Sequence, residues 1–308
     1  AVLLMGSIVG PFIGFGGLAP MDHDGVASAE GEVGQVVFSA ENDSIVARDG
    51  VNGSKLWQFN TTDTVEALYS PSSGESLFYG LSNGQVAEFD LSSKEIVWKD
   101  DFGYTQSINH ITKSGHKLFI STDGNDYLRA VETESQSITW QKQLPGSSPG
   151  EVRIKNDGSK VYTVNANSGL YAYDASSGDQ LWNNTNSSLE ETSFTIEDGN
   201  LFIKNFDGDF VEVDGESGDI VKSWNADEGG GSYRSIVSGE EDGVFYVAKG
   251  WMLGKYNHTN ESVSWSDSSG ADNMHIAFSP KTDYLYSSTY DNRLYSRHRN
   301  GTTMFAKS

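Results

Sequence analysis

From about residue 25 to the C-terminus, apolar and polar positions alternate in short runs broken by Gly, Asn, Asp or Ser. KVYTVNANSGLYAYDASSGDQLW (160–182) holds an apolar-rich run, a turn, an alternating run, a second turn and a short strand ending at Trp182. SLFYGLSNGQVAEFDLSSKEIVW (76–98) and NLFIKNFDGDFVEVDGESGDIVKSW (200–224) repeat that order. Alternation at period two places successive side chains on opposite faces of a strand. NSG, SNG and DGD are hairpin chemistry, because Gly, Asn and Asp tolerate positive φ. After each Trp a looser stretch leads to a further short strand: VEALYS (65–70), SINHITKS (107–114), EVRIKN (151–156), SFTIED (193–198), SIVSGE (235–240) and MHIAFS (274–279). Each unit therefore predicts four strands, and no helical periodicity appears after residue 20.

The units recur with a fixed period. Trp57, Trp98, Trp140, Trp182, Trp224 and Trp265 are 41 or 42 residues apart, and Phe305 fills a seventh slot. Four-stranded units repeated at this spacing predict a radial array. The expected fold is all-β: a seven-bladed β-propeller over 25–308, preceded by an apolar segment over 1–24. The first unit is the least regular. GVASA (25–29) is either its inner strand or a strand that closes the ring on the last blade.

ARDGVNGSKLW (47–57) and AYDASSGDQLW (172–182) share Ala, Asp, Gly and Trp at the same offsets. They resemble the tryptophan-docking motif of the pyrroloquinoline-quinone (PQQ) repeat propellers. The resemblance implies that Trp57, Trp98, Trp140, Trp182, Trp224, Trp265 and Phe305 each pack against a neighbouring blade. Glu132 and Asn257 replace the motif Asp, and two extra residues precede Trp224. Propellers host many unrelated functions, so fold alone assigns none. The quinone enzymes of that family are longer, eight-bladed, and carry a vicinal cysteine pair. This chain has no cysteine.

Other catalytic signatures are missing too. The six His (23, 110, 116, 258, 275 and 298) form no HExxH or similar spacing, and no GxSxG or phosphate loop occurs. His110 and His275 fall on predicted inner strands and are read as channel-wall residues. Carboxylates cluster at Asp22 and Asp24, at Asp123 and Asp126, and at Asp207 and Asp209. Oxygen-rich loops of this kind suit a structural Ca²⁺ or Mg²⁺, with Asp22 and Asp24 the better pair. No other cofactor is expected, and the protein is read as a non-enzyme.

A net charge of −22 repels phosphate backbones, so nucleic acid is not an expected partner. Such an acidic surplus fits a protein from very salty water, where screening limits self-repulsion. Eight Asn-x-Ser/Thr sequons begin at Asn42, Asn52, Asn60, Asn183, Asn186, Asn257, Asn260 and Asn300. Most fall in predicted turns or interblade loops, which are accessible to glycosylation. The expected location is extracellular, on a cell or virion surface.

Residues 1–20 contain no charged side chain. Three readings stand. Leu3, Leu4, Gly6, Ile8, Gly10, Phe12, Ile13, Gly14 and Phe15 would form an assembly segment, weakly similar to that of the type IV pilins. Equally, LLMGSIVG would add as a donor strand to a partner's sheet edge. As a membrane anchor, twenty apolar residues just span a bilayer, and GxxxGxxxG permits close helix contact. As a secretory signal, the segment would be cleaved near Ala27-Ser28-Ala29, although no basic residue precedes it. The favoured expectation is a structural subunit of a surface filament or virion appendage that polymerises with itself through the apolar segment. The alternative is a membrane-anchored scaffold or adhesin whose propeller face binds a glycan or protein.

Overall fold

The structure is a computed structural model that describes residues 13–14, 36–41, 43–71, 75–103, 105–124, 126–146, 149–165, 168–186, 189, 193–205, 209–225, 233–239, 241–268, 273–279, 283–289 and 293–307. Its strands form seven four-stranded antiparallel sheets, the blades of a propeller. Blade 1 combines 13–14 with 36–60, and blades 2 to 7 follow at 65–100, 108–143, 149–184, 194–225, 233–268 and 273–307. Among the described residues there is no α-helix. Inner strands appear where the sequence places them: Val65–Tyr69, Ile108–Ser114, Pro149–Ile154, Phe194–Glu197, Tyr233–Ser238 and Asn273–Ser279.

Burial follows from stacking the blades face to face. Middle strands are covered on both faces, as in Val244–Lys249, which is buried throughout. Outermost strands such as Lys55–Asn60 alternate between exposed and half-buried positions. Each hydrophobic cluster belongs to two adjacent blades. Phe38, Ile45 and Ala47 meet Leu77, Tyr79 and Phe89 between blades 1 and 2. Phe119, Leu128 and Trp140 meet Val161, Tyr171 and Tyr173 between blades 3 and 4. A fully buried side chain of this size contributes about 1.5–3 kcal/mol, so blade contacts supply most of the stabilisation.

The start of the chain departs from expectation. Ile13–Gly14 pairs antiparallel with blade 1, Ile13 opposite Ser39 and Gly14 opposite Phe38. It takes the inner-strand place of blade 1, one of the two places read for GVASA, beside the inner strands of blades 2 and 7. Ile13 and Gly14 thus pair into blade 1 from the N-terminal side of the expected boundary at residue 24. The physical reason is the inner edge of Val36–Ala40, whose main-chain groups need partners. The other assembly-segment residues (Leu3, Leu4, Gly6, Ile8, Gly10, Phe12 and Phe15), together with GVASA, lie outside the described residues.

All four strands of blade 7 come from the C-terminal end, so among the described residues no strand is exchanged across the closing seam. Side chains close the ring instead. Tyr286 donates its hydroxyl to the Gly50 carbonyl of blade 1 at 2.7 Å. Val37, Tyr286 and Leu294 form a small buried cluster with Phe305 against it.

The docking aromatics share one geometry wherever the next blade offers a glycine. Trp140, Trp182, Trp265 and Phe305 lie against Gly178, Gly218, Gly301 and Gly53 of the following blade. The indoles of Trp140, Trp182 and Trp265 donate to Ala175 O (3.1 Å), Gly215 O (3.2 Å) and Arg299 O (2.8 Å) of those same turns. The corresponding turns facing Trp57, Trp98 and Trp224 carry Lys94, Gln136 and Glu261, all at positive φ. There the aromatics settle differently. Trp57 stacks on Phe89, Trp98 donates to Glu88 of its own blade at 2.8 Å, and Trp224 stacks on Phe210.

Candidate functional site

An innermost strand is an edge, and its main-chain N–H groups face the channel unpaired by sheet bonds. Side chains from the preceding blade satisfy them here. Val152 N–H donates to His110 Nδ1 at 3.3 Å, and Phe194 N–H donates to Glu151 Oε2 at 3.2 Å. Ile236 N–H donates to Ser193 Oγ at 3.2 Å, and Ile276 N–H donates to Ser235 Oγ at 3.4 Å. These side chains occupy one register of the repeat, so the channel wall from blade 3 to blade 7 is stitched by a polar belt. His275 holds the same register in blade 7, opposite Ser288 as His110 is opposite Ser121. In blade 2 the register is Ala67, which has no polar atom to offer.

The belt is densest between blades 3, 4 and 5. Glu151 accepts from the Ser193 hydroxyl at 2.8 Å and from the Arg153 guanidinium, which also donates to Phe194 O at 2.6 Å. His110 Nε2 faces Glu151 Oε1 at 3.7 Å. Since Nδ1 accepts the Val152 N–H, the imidazole proton is assigned to Nε2, toward that carboxylate. Burial, and second the Arg153 charge, push the His110 pKa well below the usual imidazole range, so the ring is neutral at neutral pH.

A second perturbed group sits on the inner strand of blade 2. Burial first, then the charges of Asp63 and Asp123, push the Glu66 carboxyl up to about 7. Asp63 Oδ1 accepts from Thr64 N and from Ser82 Oγ, each at 2.8 Å, and Asp123 Oδ1 accepts from Gly124 N at 2.7 Å. Among the described residues no group of three or more His, Asp or Glu is placed to hold a metal ion. Asp22, Asp24 and Asp207 lie outside the described residues, while Asp209 is bound by Asn225 Nδ2 at 2.8 Å.

The sequons separate by place. Asn52, Asn260 and Asn300 are exposed in rim turns, and Asn60 and Asn183 are exposed on outermost strands. Asn186 is exposed after blade 4, Asn257 is half-buried, and Asn42 is outside the described residues. The rim also exposes apolar side chains next to the docking aromatics, among them Leu56, Val97, Leu181 and Met304.

Sequence reasoning reached His110 and His275 but missed Glu151, Arg153, Ser193, Ser235 and Glu66. The belt had a signal: a polar residue immediately precedes an apolar one in His110-Ile111, Glu151-Val152, Ser193-Phe194, Ser235-Ile236 and His275-Ile276. Trp251 was also passed over. It breaks the period and stands 57% exposed in a turn of blade 6.

Comparisons with known proteins agree with this architecture. Residues 82–304 match the profile of the PQQ_2 family, described as outer membrane protein assembly factor BamB. A stretch of 127 residues is 24% identical to tetrathionate hydrolase of Acidithiobacillus ferrooxidans. It covers 41% of this chain and 24% of that protein, so the chain spans about a quarter of that relative's length. A chain in the crystal structure of the mitotic checkpoint complex superposes with a TM-score of 0.77 at 16% identity, covering 85% of this chain and 83% of that one. That likeness concerns the fold.

Proposed function

The chain belongs to the PQQ-repeat propeller family whose profile is described as outer membrane protein assembly factor BamB, and from that footing we propose a non-enzymatic subunit of an extracellular surface assembly. Its propeller is displayed outward, and the apolar segment before Ile13 joins it to neighbouring subunits. The observation carrying this reading is the channel belt. A general acid or base must exchange protons with a substrate. Three channel-wall groups capable of it, His110, Glu151 and Ser193, are engaged instead by main-chain N–H groups of the next blade. They hold the ring together, which supports a protein that works by contact. The charge of −22 favours a surface that stays solvated between partners and leaves uncharged residues 1–12 as the natural joint.

A second reading is a membrane-tethered binding scaffold, favoured by the outer-membrane assembly factor that describes the family. Electron microscopy and membrane flotation of the whole chain, beside a version lacking residues 1–12, separate the two. The cut leaves Ile13–Gly14 in blade 1. Regular polymers that vanish with the deletion are expected. Lone discs whose membrane flotation is lost on deletion would overturn the assembly reading in favour of the scaffold. Turnover of tetrathionate, or of a quinone-linked substrate, would overturn the non-enzymatic reading.

A further inference from the structure

Three of the eight sequons occupy the same place in the fold. In Asn52-Gly53-Ser54, Asn260-Glu261-Ser262 and Asn300-Gly301-Thr302 the middle residue is the left-handed one of the rim turn, with φ of 70°, 55° and 94°. A left-handed residue between them folds the sequon back on itself. Asn52 Oδ1 accepts from Ser54 N at 2.8 Å, and Asn300 Oδ1 accepts from Thr302 N at 3.0 Å. Asn260 Oδ1 accepts from the Ser262 hydroxyl. Each amide oxygen is thereby turned onto the Ser or Thr of its own sequon, and each of the three Asn residues is exposed.

Asn60, Asn183 and Asn257 are placed differently. Asn60 and Asn183 lie on extended outermost strands, with Oδ1 bound by Gln58 and Gln180 side chains at 3.4 and 3.2 Å. Asn257 is half-buried, and its Oδ1 caps Asn260 N at 3.1 Å. Blades 2 to 5 carry Ser93, Ser135, Ser177 and Ser217 at the turn position that Asn holds in blades 6, 7 and 1. Those three blades are consecutive around the closed ring.

We propose that Asn52, Asn260 and Asn300 are the N-glycosylation sites of this protein, and that their glycans form one continuous arc over the rim of blades 6, 7 and 1. The inference rests on the reading that the propeller is displayed outside the cell. The donor is a lipid-linked saccharide activated as a phosphate or pyrophosphate ester. The Asn Nδ2 attacks its anomeric carbon, the N–C bond forms, the C–O bond to phosphate breaks, and the lipid phosphate leaves with the electron pair. The amide releases one proton. Exposure admits the donor, and the turn holds each Asn beside its own Ser or Thr without unfolding a strand. The rim of blades 2 to 5 keeps its exposed apolar residues, including Val97, Leu181 and Val221, uncovered.

The test is glycopeptide mass spectrometry on full-length protein from its own cells, with surface fractionation of the same culture. Saccharide mass is expected on the Asn52, Asn260 and Asn300 peptides and not on those of Asn183 or Asn257. Ser54→Ala and Thr302→Ala each remove the acceptor hydroxyl but keep the main-chain N–H that closes the turn. Each variant is expected to lose one glycan with an unchanged melting curve. Surface-exposed protein with all three sites bare, or with glycan at Asn183 or Asn257 instead, overturns the proposal while leaving display intact. Bare protein found only inside the cell overturns the display reading, and this proposal with it.

Discussion

The indole of Trp140 lies so close to Gly178 of the next blade that a Cβ there would stand 2.6 Å from indole Cδ2 and 2.8 Å from Cε3. Gly178 also has a φ of 73°. Gly178→Ala therefore meets two penalties: about 1–2 kcal/mol for the left-handed backbone and about 1–3 kcal/mol for overpacking. A loss of roughly 2 kcal/mol or more is expected in chemical denaturation. Gln136→Gly relieves a left-handed side chain at the equivalent turn of blade 3 and should change stability by less than about 1 kcal/mol. Equal losses from the two variants would show that ring contact is not what the glycine protects.

The closing seam makes a second prediction. Tyr286→Phe leaves the buried Gly50 carbonyl without its partner, at a cost of about 1–3 kcal/mol. Tyr162→Phe removes the equivalent bond to Gly215 O, 3.0 Å long, between blades 4 and 5, where the buried cluster is larger. Thermal melts should place Tyr286→Phe at or below Tyr162→Phe. A Tyr286→Phe melt matching the wild type would remove this bond from the account of closure.

His110 tests the belt. His110→Ala strands the Val152 N–H and should cost about 1–3 kcal/mol, whereas His110→Asn keeps an acceptor and should recover part of that loss. The folded pKa is depressed, so the unfolded chain binds a proton that the folded wall refuses. The wild type should lose stability as pH falls below the unfolded value of about 6.5, and His110→Asn should lose less. Parallel pH profiles for the two proteins would contradict a neutral His110.

Glu66 works in the opposite sense. Its folded pKa is raised from 4.5 to about 7, so its contribution is complete below pH 4.5 and is lost as pH rises through about 7. Glu66→Gln, neutral at every pH, should hold stability across that window. The stability difference between variant and wild type should grow from pH 4.5 to 7 and then level off. A difference that does not change with pH would mean that Glu66 ionises normally.

Blade number and strand placement were legible in the chain because they depend on local chemistry. Alternation, Asn-Gly-type turns and a Trp every 41 or 42 residues all act within a single repeat. The inner strands from Val65–Tyr69 to Asn273–Ser279 were read almost to the residue. The candidate site was less legible. His110 and His275 could be put on the channel wall, but Glu66 looks ordinary until Asp63 and Asp123 are brought beside it.

What the sequence determined by itself, then, is the repeat: seven units, their hairpins and the aromatic that ends each. Only the tertiary structure decided what passes between units. The indole of Trp140 meets a carbonyl 35 residues on, and His110 receives an N–H 42 residues on. The seam joins Tyr286 to Gly50 across 236 positions. Ile13–Gly14 enters blade 1 because that edge needs main-chain partners, although its apolar residues read as part of a separate tail. Such contacts depend on distances across blade faces, which a period along the chain does not encode.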